Sequence, residues 1–196
     1  MRSKKEAWKE FSEEIQSTYF KGGLLKNDKI ESTFQNWKIT IDTYDFTMVT
    51  PTVIIIVYSR IRAPFIPTSD FTFRISKKTI FNKVSEKLGN SYIATGDLSF
   101  DNDFVVNSDS ENIIKTILNE KVRKLMLDNS GIKFEISNDK TVIGKQFPNS
   151  GLSLIVEGEI KDKHKLISLY NLFGEILISL LENGLIEDSS VDVKLK

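Results

Sequence analysis

The spacing of apolar residues changes several times along the chain, and each change predicts a new structural element. Trp8, Phe11 and Ile15 recur at steps of three and four residues, which is typical of an amphipathic helix. Ser3 opens the sequence Ser-Lys-Lys-Glu, whose spacing is that of a capping box at a helix start. We therefore expect an N-terminal helix that runs to the glycine pair at 22–23.

From residue 30 onward the period becomes two, which indicates strands. Residues 30–34 and 37–42 alternate on either side of a tight turn at Gln35-Asn36, and they predict a hairpin with one polar face. The run 53–61 is apolar on both alternations, as expected for a strand that is covered on both faces. A further strand is predicted at 71–75.

The middle of the chain predicts helices on either side of a short strand. Ser76 is expected to cap a short helix that Gly89 closes. The apolar residues 104–106 indicate a strand. Ser108 begins a second capping-box sequence, Ser-Asp-Ser-Glu, and the apolar stripe that follows predicts another helix.

The last third of the chain predicts three strands and a long helix. Residues 132–136 and 141–143 should form a hairpin, and residues 152–156 a third strand. A helix from about 163 to 183 should end at Gly184. The fold class is therefore α+β, with antiparallel sheet packed against an N-terminal helix and a long C-terminal helix.

This order of elements is expected to form one domain over residues 1–196. Apolar residues are spread along the whole chain, and no Pro/Gly-rich linker interrupts it. Each half contains strands followed by a helix, so two similar βα sub-lobes, 1–89 and 90–196, are a second way of dividing the chain. The best candidate for a seam is Gly89-Asn90-Ser91.

Charge and cysteine content exclude several classes of function. The chain has 27 Lys and Arg against 27 Asp and Glu, so no net field would attract a nucleic acid. It has no cysteine, which excludes thiolate nucleophiles and sulfur-ligated zinc and suits a reducing cytoplasm. The basic residues at the N-terminus are followed by glutamates, so no secretion signal is expected. We predict a cytoplasmic protein without a cofactor.

Membrane association has two candidate elements. The apolar run 166–181 carries Asn171, Gly174 and Glu175 in its middle, which favours a buried core helix over a span. Peripheral attachment to the inner membrane face is a weaker alternative, through the N-terminal lysines and three lysines further along the chain, Lys161, Lys163 and Lys165.

One block of the second half resembles a known family. It reads Asp97-x-x-Phe100-Asp101-x-x-Phe104-x-Val106-x-Ser108-Asp109 and is followed by an apolar helix and strands. The pattern resembles a family of bacterial proteins catalogued as a domain of unknown function, over roughly residues 92–185 and more weakly over 37–62. Members of that family often carry hydrophobic helices ahead of a soluble domain, whereas the first 90 residues here contain no spanning segment. The resemblance implies a bacterial α+β domain and no particular activity.

The same block contains the densest acidic cluster, with carboxylates at Asp97, Asp101, Asp103 and Asp109. Such oxygen ligands can hold calcium or magnesium, and a metal-dependent hydrolase that uses this cluster is the alternative function. The spacing lacks the glycine and the final glutamate of an EF-hand loop. Turn-forming and helix-capping aspartates are therefore the favoured interpretation, and we predict no metal site.

Two other ionisable residues could have a chemical role. His164 is the only histidine, but it lies among charged residues and is expected at the surface. Glu175 interrupts the apolar C-terminal helix, where burial could raise the pKa of its carboxyl group, or it could lie on a narrow polar stripe. Neither residue predicts a specific reaction.

The segment from Arg60 to Pro67 mixes two arginines with apolar residues and prolines. Arginine and aromatic residues are enriched at interfaces, so Arg60, Arg62 and Phe65 are the predicted binding residues. The alternative is a strand end at which the prolines prevent edge pairing. No phosphate-binding loop, nucleophile elbow or HExxH motif occurs. We therefore predict a non-enzymatic protein-binding or scaffold module, with a protein partner or self-association.

Overall fold

A computed structural model describes residues 3–23, 27–49, 53–78, 92–129, 131–136, 150–189 and 191. The helices within these ranges are α1 Lys4–Glu14, α2 Leu98–Asp103, α3 Glu111–Ile117, α4 Glu120–Asp128 and α5 Lys163–Glu182. The strands are β1 Thr18–Phe20, β2 Lys29–Phe34, β3 Trp37–Val49, β4 Val53–Phe65, β5 Phe73–Lys77, β6 Phe104–Ser108, β7 Ile132–Ile136 and β8 Ser150–Glu157.

All eight strands belong to one antiparallel sheet in the order β1-β2-β3-β4-β8-β7-β5-β6. The α+β prediction, with an N-terminal and a long C-terminal helix, is confirmed. Strands from the two halves of the chain interleave, because β5 lies between β7 and β6. The predicted hairpin is present too: Phe34 pairs with Trp37 across a turn in which Gln35 has a positive φ of 51°.

One face of the sheet forms the hydrophobic core together with the helices. Paired residues of antiparallel strands share a face, so one row of buried side chains crosses the centre of the sheet. This row consists of Ile41, Ile61, Leu154, Phe134 and Ile75. Helix α5 lies over this face, and Phe173 stacks on Phe134 with ring centroids 6.1 Å apart.

Helix α5 is long and apolar enough to cross a membrane by length and composition, and 56% of its most apolar window is buried inside the protein. Its partners include Phe11 of α1, whose ring packs edge-on against Tyr170 at 5.8 Å. The Tyr170 hydroxyl lies 2.9 Å from Ser32 Oγ on β2. The predicted C-terminal end is confirmed, since Asn183 caps the helix and Gly184 follows with a φ of 67°. The helix therefore packs as a core helix, as predicted from its interrupted apolar run.

The start of α1 matches the prediction and its end does not. Ser3 Oγ accepts from the Glu6 N–H, and the Glu6 carboxylate accepts from the Ser3 N–H, which is the predicted capping box. The helix ends at Glu14, however, and not at the glycine pair. Gln16 has a φ of 52°, and the chain then enters strand β1 at Thr18. The left-handed residue turns the chain before the helical pattern is exhausted.

The second predicted capping box is absent. Ser108 lies in β6, and its Oγ donates to Thr72 O and accepts from Ser110 N–H. Helix α3 begins at Glu111, and Ser110 at its N-cap makes no side-chain capping bond. Ser76, predicted as a helix cap, belongs to strand β5. The rest of that predicted helix, up to Gly89, and the predicted strand 141–143 lie outside the described residues.

Candidate binding surface

The three predicted binding residues lie inside strand β4 and not in a loop. Arg62 and Phe65 are 0% and 1% exposed, and Arg60 is 9% exposed. Because successive side chains of a strand point to opposite faces, Phe65 lies on the core face and the two arginines lie on the other. The structure thus brings Arg60 and Arg62 together and separates them from Phe65.

Asp42 on β3 is the shared partner of both arginines. Arg60 donates from Nε to Oδ1 at 2.5 Å and from Nη2 to Oδ2 at 2.9 Å, a bidentate geometry. Arg62 donates from Nη2 to the same Oδ2 at 2.7 Å. Burial lowers the pKa of Arg62 to about 10, while the adjacent Asp42 carboxylate favours its charged form. The three side chains form a structural charge network at the centre of the sheet.

The polar face continues across the next strands. Arg62 pairs in register with Ser153 of β8, and Ser153 pairs with Glu135 of β7. Glu135, itself buried, accepts from Lys133 at 2.7 Å and from Arg74 at 3.3 Å. Asp42 and Glu135 therefore each bind two cations, which is an arrangement that holds neighbouring strands together.

A pair of tyrosines lies at the outer end of this network. The rings of Tyr44 and Tyr58, which are paired across β3 and β4, stack with centroids 5.3 Å apart. The Arg60 guanidinium lies 4.5 Å from the centroid of the Tyr44 ring. Burial raises the pKa of the Tyr44 hydroxyl to about 12. The tyrosines mark the point at which the buried sheet ends.

Above the buried charge network, β3 and β4 continue as a two-stranded ribbon, defined here as residues 43–49 and 53–58, with the tyrosine pair at its base. The pairing of β2 with β3 stops at Asp42, and the ladder of β8 with β4 stops at Ser59. Past those points the two strands pair with each other as far as Val49 and Val53. The neighbouring strands are shorter, so the ribbon projects from the sheet.

The ribbon carries exposed apolar side chains. Val53, Ile54 and Ile55 are 66%, 44% and 61% exposed, and Phe46 is 38% exposed. The prediction of a strand covered on both faces is therefore wrong for the first part of β4, because no described strand or helix packs there. Residues 46–59 contain no charged residue, so the described part of the ribbon beyond Asp45 is uncharged. Exposed apolar patches of this kind mark interaction sites.

Three of the four aspartates in the acidic cluster, Asp97, Asp101 and Asp109, have structural roles. Asp97 caps α2 by accepting from the Ser99 and Phe100 N–H groups, and it pairs with Arg123 at 3.1 Å. Its pKa is lowered by the Phe100 N–H bond first and then by Arg123. Asp101 accepts from the Thr95 N–H at 2.9 Å. The capping interpretation is confirmed for Asp97.

Asp109 likewise accepts from the backbone N–H of Thr72 at 2.8 Å, which ties the loop to the start of β5. The structure separates these aspartates instead of gathering them around one point. Among the described residues, no group of three or more His, Asp or Glu side chains could hold a metal ion.

The two other candidate residues, His164 and Glu175, lie apart from the apolar surface of the ribbon. His164 is exposed in the first turn of α5, and its backbone N–H donates to Asp162 Oδ1 at 2.8 Å. Glu175 is partly exposed and pairs with Lys121 at 2.6 Å. This ion pair on the helix surface fits the polar-stripe interpretation of Glu175.

Three of the lysines considered for membrane attachment, Lys4, Lys161 and Lys163, have carboxylate neighbours. Lys4 donates to Thr43 Oγ1 at 3.1 Å and lies 3.4 Å from Glu159. Lys161 lies 3.7 Å from the same Glu159. Lys163 lies 2.8 Å from Glu14. Charge at this end of the protein is therefore largely balanced.

A narrow crevice beside Phe65 is lined by apolar residues, including Phe71, Ile136, Leu180 and Leu185. It has no space for a water-sized molecule. Its walls are contributed by β4, β7 and the end of α5, so it is a packing seam of the core. Phe65 therefore contributes to the core at this seam.

Comparison with known proteins yields a similarity of fold. No family model matches the chain. No curated protein matches it either. The structure is similar to the crystal structure of the mycobacterial trehalose monomycolate transport factor A, TtfA, with a TM-score of 0.54 over 92% of this chain and 96% of that chain. Because only 6% of aligned residues are identical, the similarity establishes a shared fold.

Proposed function

We propose that this protein is a non-enzymatic protein-binding module whose contact surface is the ribbon. The observation that carries the proposal is the exposure of Val53, Ile54 and Ile55 on the part of the ribbon that has no charged residue. In the monomer these side chains remain in contact with water. The hydrophobic effect would therefore stabilise a complex in which a partner covers them. The buried charge network at the base then serves to hold the ribbon in a fixed direction.

In this proposal Arg60 and Arg62 act indirectly. Both are engaged by Asp42, and neither is exposed enough to contact a partner directly. Their contribution is to pair β4 with β3 immediately below the ribbon. A rigid base lowers the entropy that is lost when the ribbon binds.

A protein partner fits the ribbon better than a lipid bilayer does. A two-stranded ribbon has two open edges, and unsatisfied backbone N–H and C=O groups cost several kcal/mol each in hydrocarbon. A partner that adds a strand satisfies those same groups. The balanced charge around Lys4 and Lys161 also gives anionic lipid little to attract.

TtfA, which shares this fold, is a transport factor, and this supports a binding role. The metal-dependent hydrolase has no comparable support, because the described aspartates are tied up separately in caps and turns. A cytoplasmic location remains part of the proposal, as the cysteine-free composition suggests.

Site-specific photocrosslinking in the source cells tests the proposal. A photoreactive amino acid replaces Ile55 in one variant and Leu98 in a control, since Leu98 is also a large exposed aliphatic residue, at 79%. We expect a discrete protein adduct from position 55 and none from position 98. Adducts to lipid alone, or the same diffuse pattern from both positions, would contradict a protein-binding ribbon.

A further inference from the structure

We infer that the ribbon binds a second copy of this chain, by antiparallel pairing of the outer edge of β4 with the same edge of the other copy. This inference rests on the proposed function and names its partner. It is argued from the backbone groups that the ribbon leaves open, from the charges at its two edges and from the sequence of the open edge.

The direction of the backbone groups in β4 follows from two contacts at the base of the ribbon. Val57 O accepts from Gly158 N–H at 2.7 Å on the outer side, away from β3. Backbone groups of a strand alternate in direction, so those of Val53 and Ile55 also point outward. No described residue bonds to them. The open part of this edge therefore begins at Val53 and ends before Val57.

The outer edge of β3 is less suited to adding a strand. The Thr43 carbonyl accepts from the Asn27 side-chain amide at 2.8 Å, which blocks the start of that edge. Asp45 follows and is exposed, and a charged side chain on an edge strand opposes pairing. The edge of β4 carries only uncharged side chains from Val53 to Ser59. An added strand is therefore expected to pair with the outer edge of β4.

The open edge of β4 can pair with the same edge of a second copy. Its residues Val53, Ile54 and Ile55 are uncharged and β-branched, so the pairing brings no like charges together. A twofold axis at Ile54 places Val53 of each copy opposite Ile55 of the other and leaves Val57, already bonded to Gly158, outside the pairing. Every cross-strand pair is then β-branched against β-branched, a favourable combination in sheets. An isologous interface requires a patch that matches itself in this way.

The dimer should be weak and dependent on concentration. The pairing involves only a few residues of each copy, and interfaces below about 1,200 Å² of total buried area are typical of transient complexes. It joins the two ribbons into a four-stranded sheet whose order is β3-β4-β4-β3. The two globular sheets remain separate, so dissociation requires no unfolding.

Disulfide trapping tests this pairing directly, because the natural chain contains no cysteine. In the proposed register Ile54 faces Ile54 of the other copy in a non-hydrogen-bonded pair, at a Cα separation of about 4.5 Å. That separation is within the range that a disulfide spans, about 4.4–6.8 Å. Ile54→Cys is therefore expected to form a disulfide-linked homodimer on mild oxidation. Thr47→Cys, on the exposed β3 half of the ribbon, is the matched control and should stay monomeric.

The outcomes separate this inference from the proposed function. Crosslinking of Thr47→Cys as readily as Ile54→Cys would contradict the β4 edge as the site. If neither variant forms a dimer while a photoreactive residue at position 55 traps a different protein, the second-copy inference is wrong and the binding function stands. If position 55 traps no protein at all, both are wrong.

Sedimentation velocity provides a second test that does not use cysteine. Ile55→Lys should weaken self-association by about tenfold or more, equivalent to roughly 1.4 kcal/mol. The double variant Val53→Glu with Ile55→Lys should recover part of this loss, since each glutamate then faces a lysine of the other copy. An equal loss in the single and double variants would contradict the proposed register.

Discussion

The Nη2 atom of Arg62 lies 2.7 Å from Oδ2 of Asp42, across the β3–β4 pairing. Arg62 is fully buried and Asp42 is 8% exposed, so each charged group has the other as a buried partner. Arg60 completes the arrangement by holding both oxygens of the same carboxylate. The ribbon begins directly above this network.

Removal of the shared carboxylate should therefore destabilise the fold strongly. Asp42→Ala leaves two largely buried arginines without their common partner, and we expect a loss of about 3–5 kcal/mol in the free energy of unfolding. Glu111→Ala is the control, because its ion pair with Lys115 is exposed and should contribute less than about 1 kcal/mol. Urea denaturation measures both. A loss below that of the control would contradict a structural role for Asp42.

Two isoleucines of the same strand should respond very differently to truncation. Ile61 is completely buried in the core row, and Ile61→Ala should cost about 2–5 kcal/mol. Ile55 is 61% exposed on the ribbon, and Ile55→Ala should change stability by less than about 0.5 kcal/mol. Thermal and chemical denaturation of the two variants test this contrast. Similar losses at both positions would show that the ribbon is covered in the folded monomer.

Gly174 allows close packing of α5 against β2. A Cβ atom at this position would overlap Cζ of the Phe34 ring. The gain in helix propensity from Gly174→Ala is about 1 kcal/mol, whereas overpacking costs about 1–3 kcal/mol, so we expect net destabilisation. The double variant with Phe34→Leu should be less destabilised than the sum of the two single variants. Strict additivity, measured by denaturation in a double-mutant cycle, would contradict the contact.

The stabilising role of Asp97 should depend on pH. Its pKa in the folded protein is lowered from the ordinary 3.8, so the stability that it contributes is present above that value and is lost as the pH falls through the folded pKa. The difference in unfolding free energy between the wild type and Asp97→Asn should therefore shrink as the pH falls below about 4. Asp103→Asn, an exposed carboxylate on the same helix, is the control. A difference that is constant with pH would contradict the proposed linkage.

Local sequence patterns predicted the elements that local interactions determine. The capping box at Ser3, the turn at Gln35 and the end of α5 before Gly184 each depend on residues within a few positions of one another. The end of α1 could not be predicted, because Gln16 adopts a left-handed conformation that is uncommon for glutamine. The spacing of apolar residues alone predicts a helix that continues into the residues of β1.

The candidate surface could be predicted only in part, because it depends on contacts between distant residues. The sequence singled out Arg60 and Arg62, but their common partner Asp42 lies 18 and 20 positions earlier. The apolar run 53–61 predicts a strand that is covered on both faces, because periodicity reports polarity and not the lengths of neighbouring strands. The uncharged stretch 46–59 is longer than an ordinary strand, and this length is the sequence feature that indicates a projecting ribbon.

Residue-resolved amide exchange of the ribbon tests the central claim most directly. In dilute protein, the Ile54 and Ile56 amides, which face β3, should be protected, while those of Val53 and Ile55 should exchange rapidly. When the partner is bound, or at high protein concentration if the partner is a second copy, protection should appear at Val53 and Ile55. Protection of all four amides in dilute monomer would contradict an open ribbon edge and, with it, the proposed binding surface.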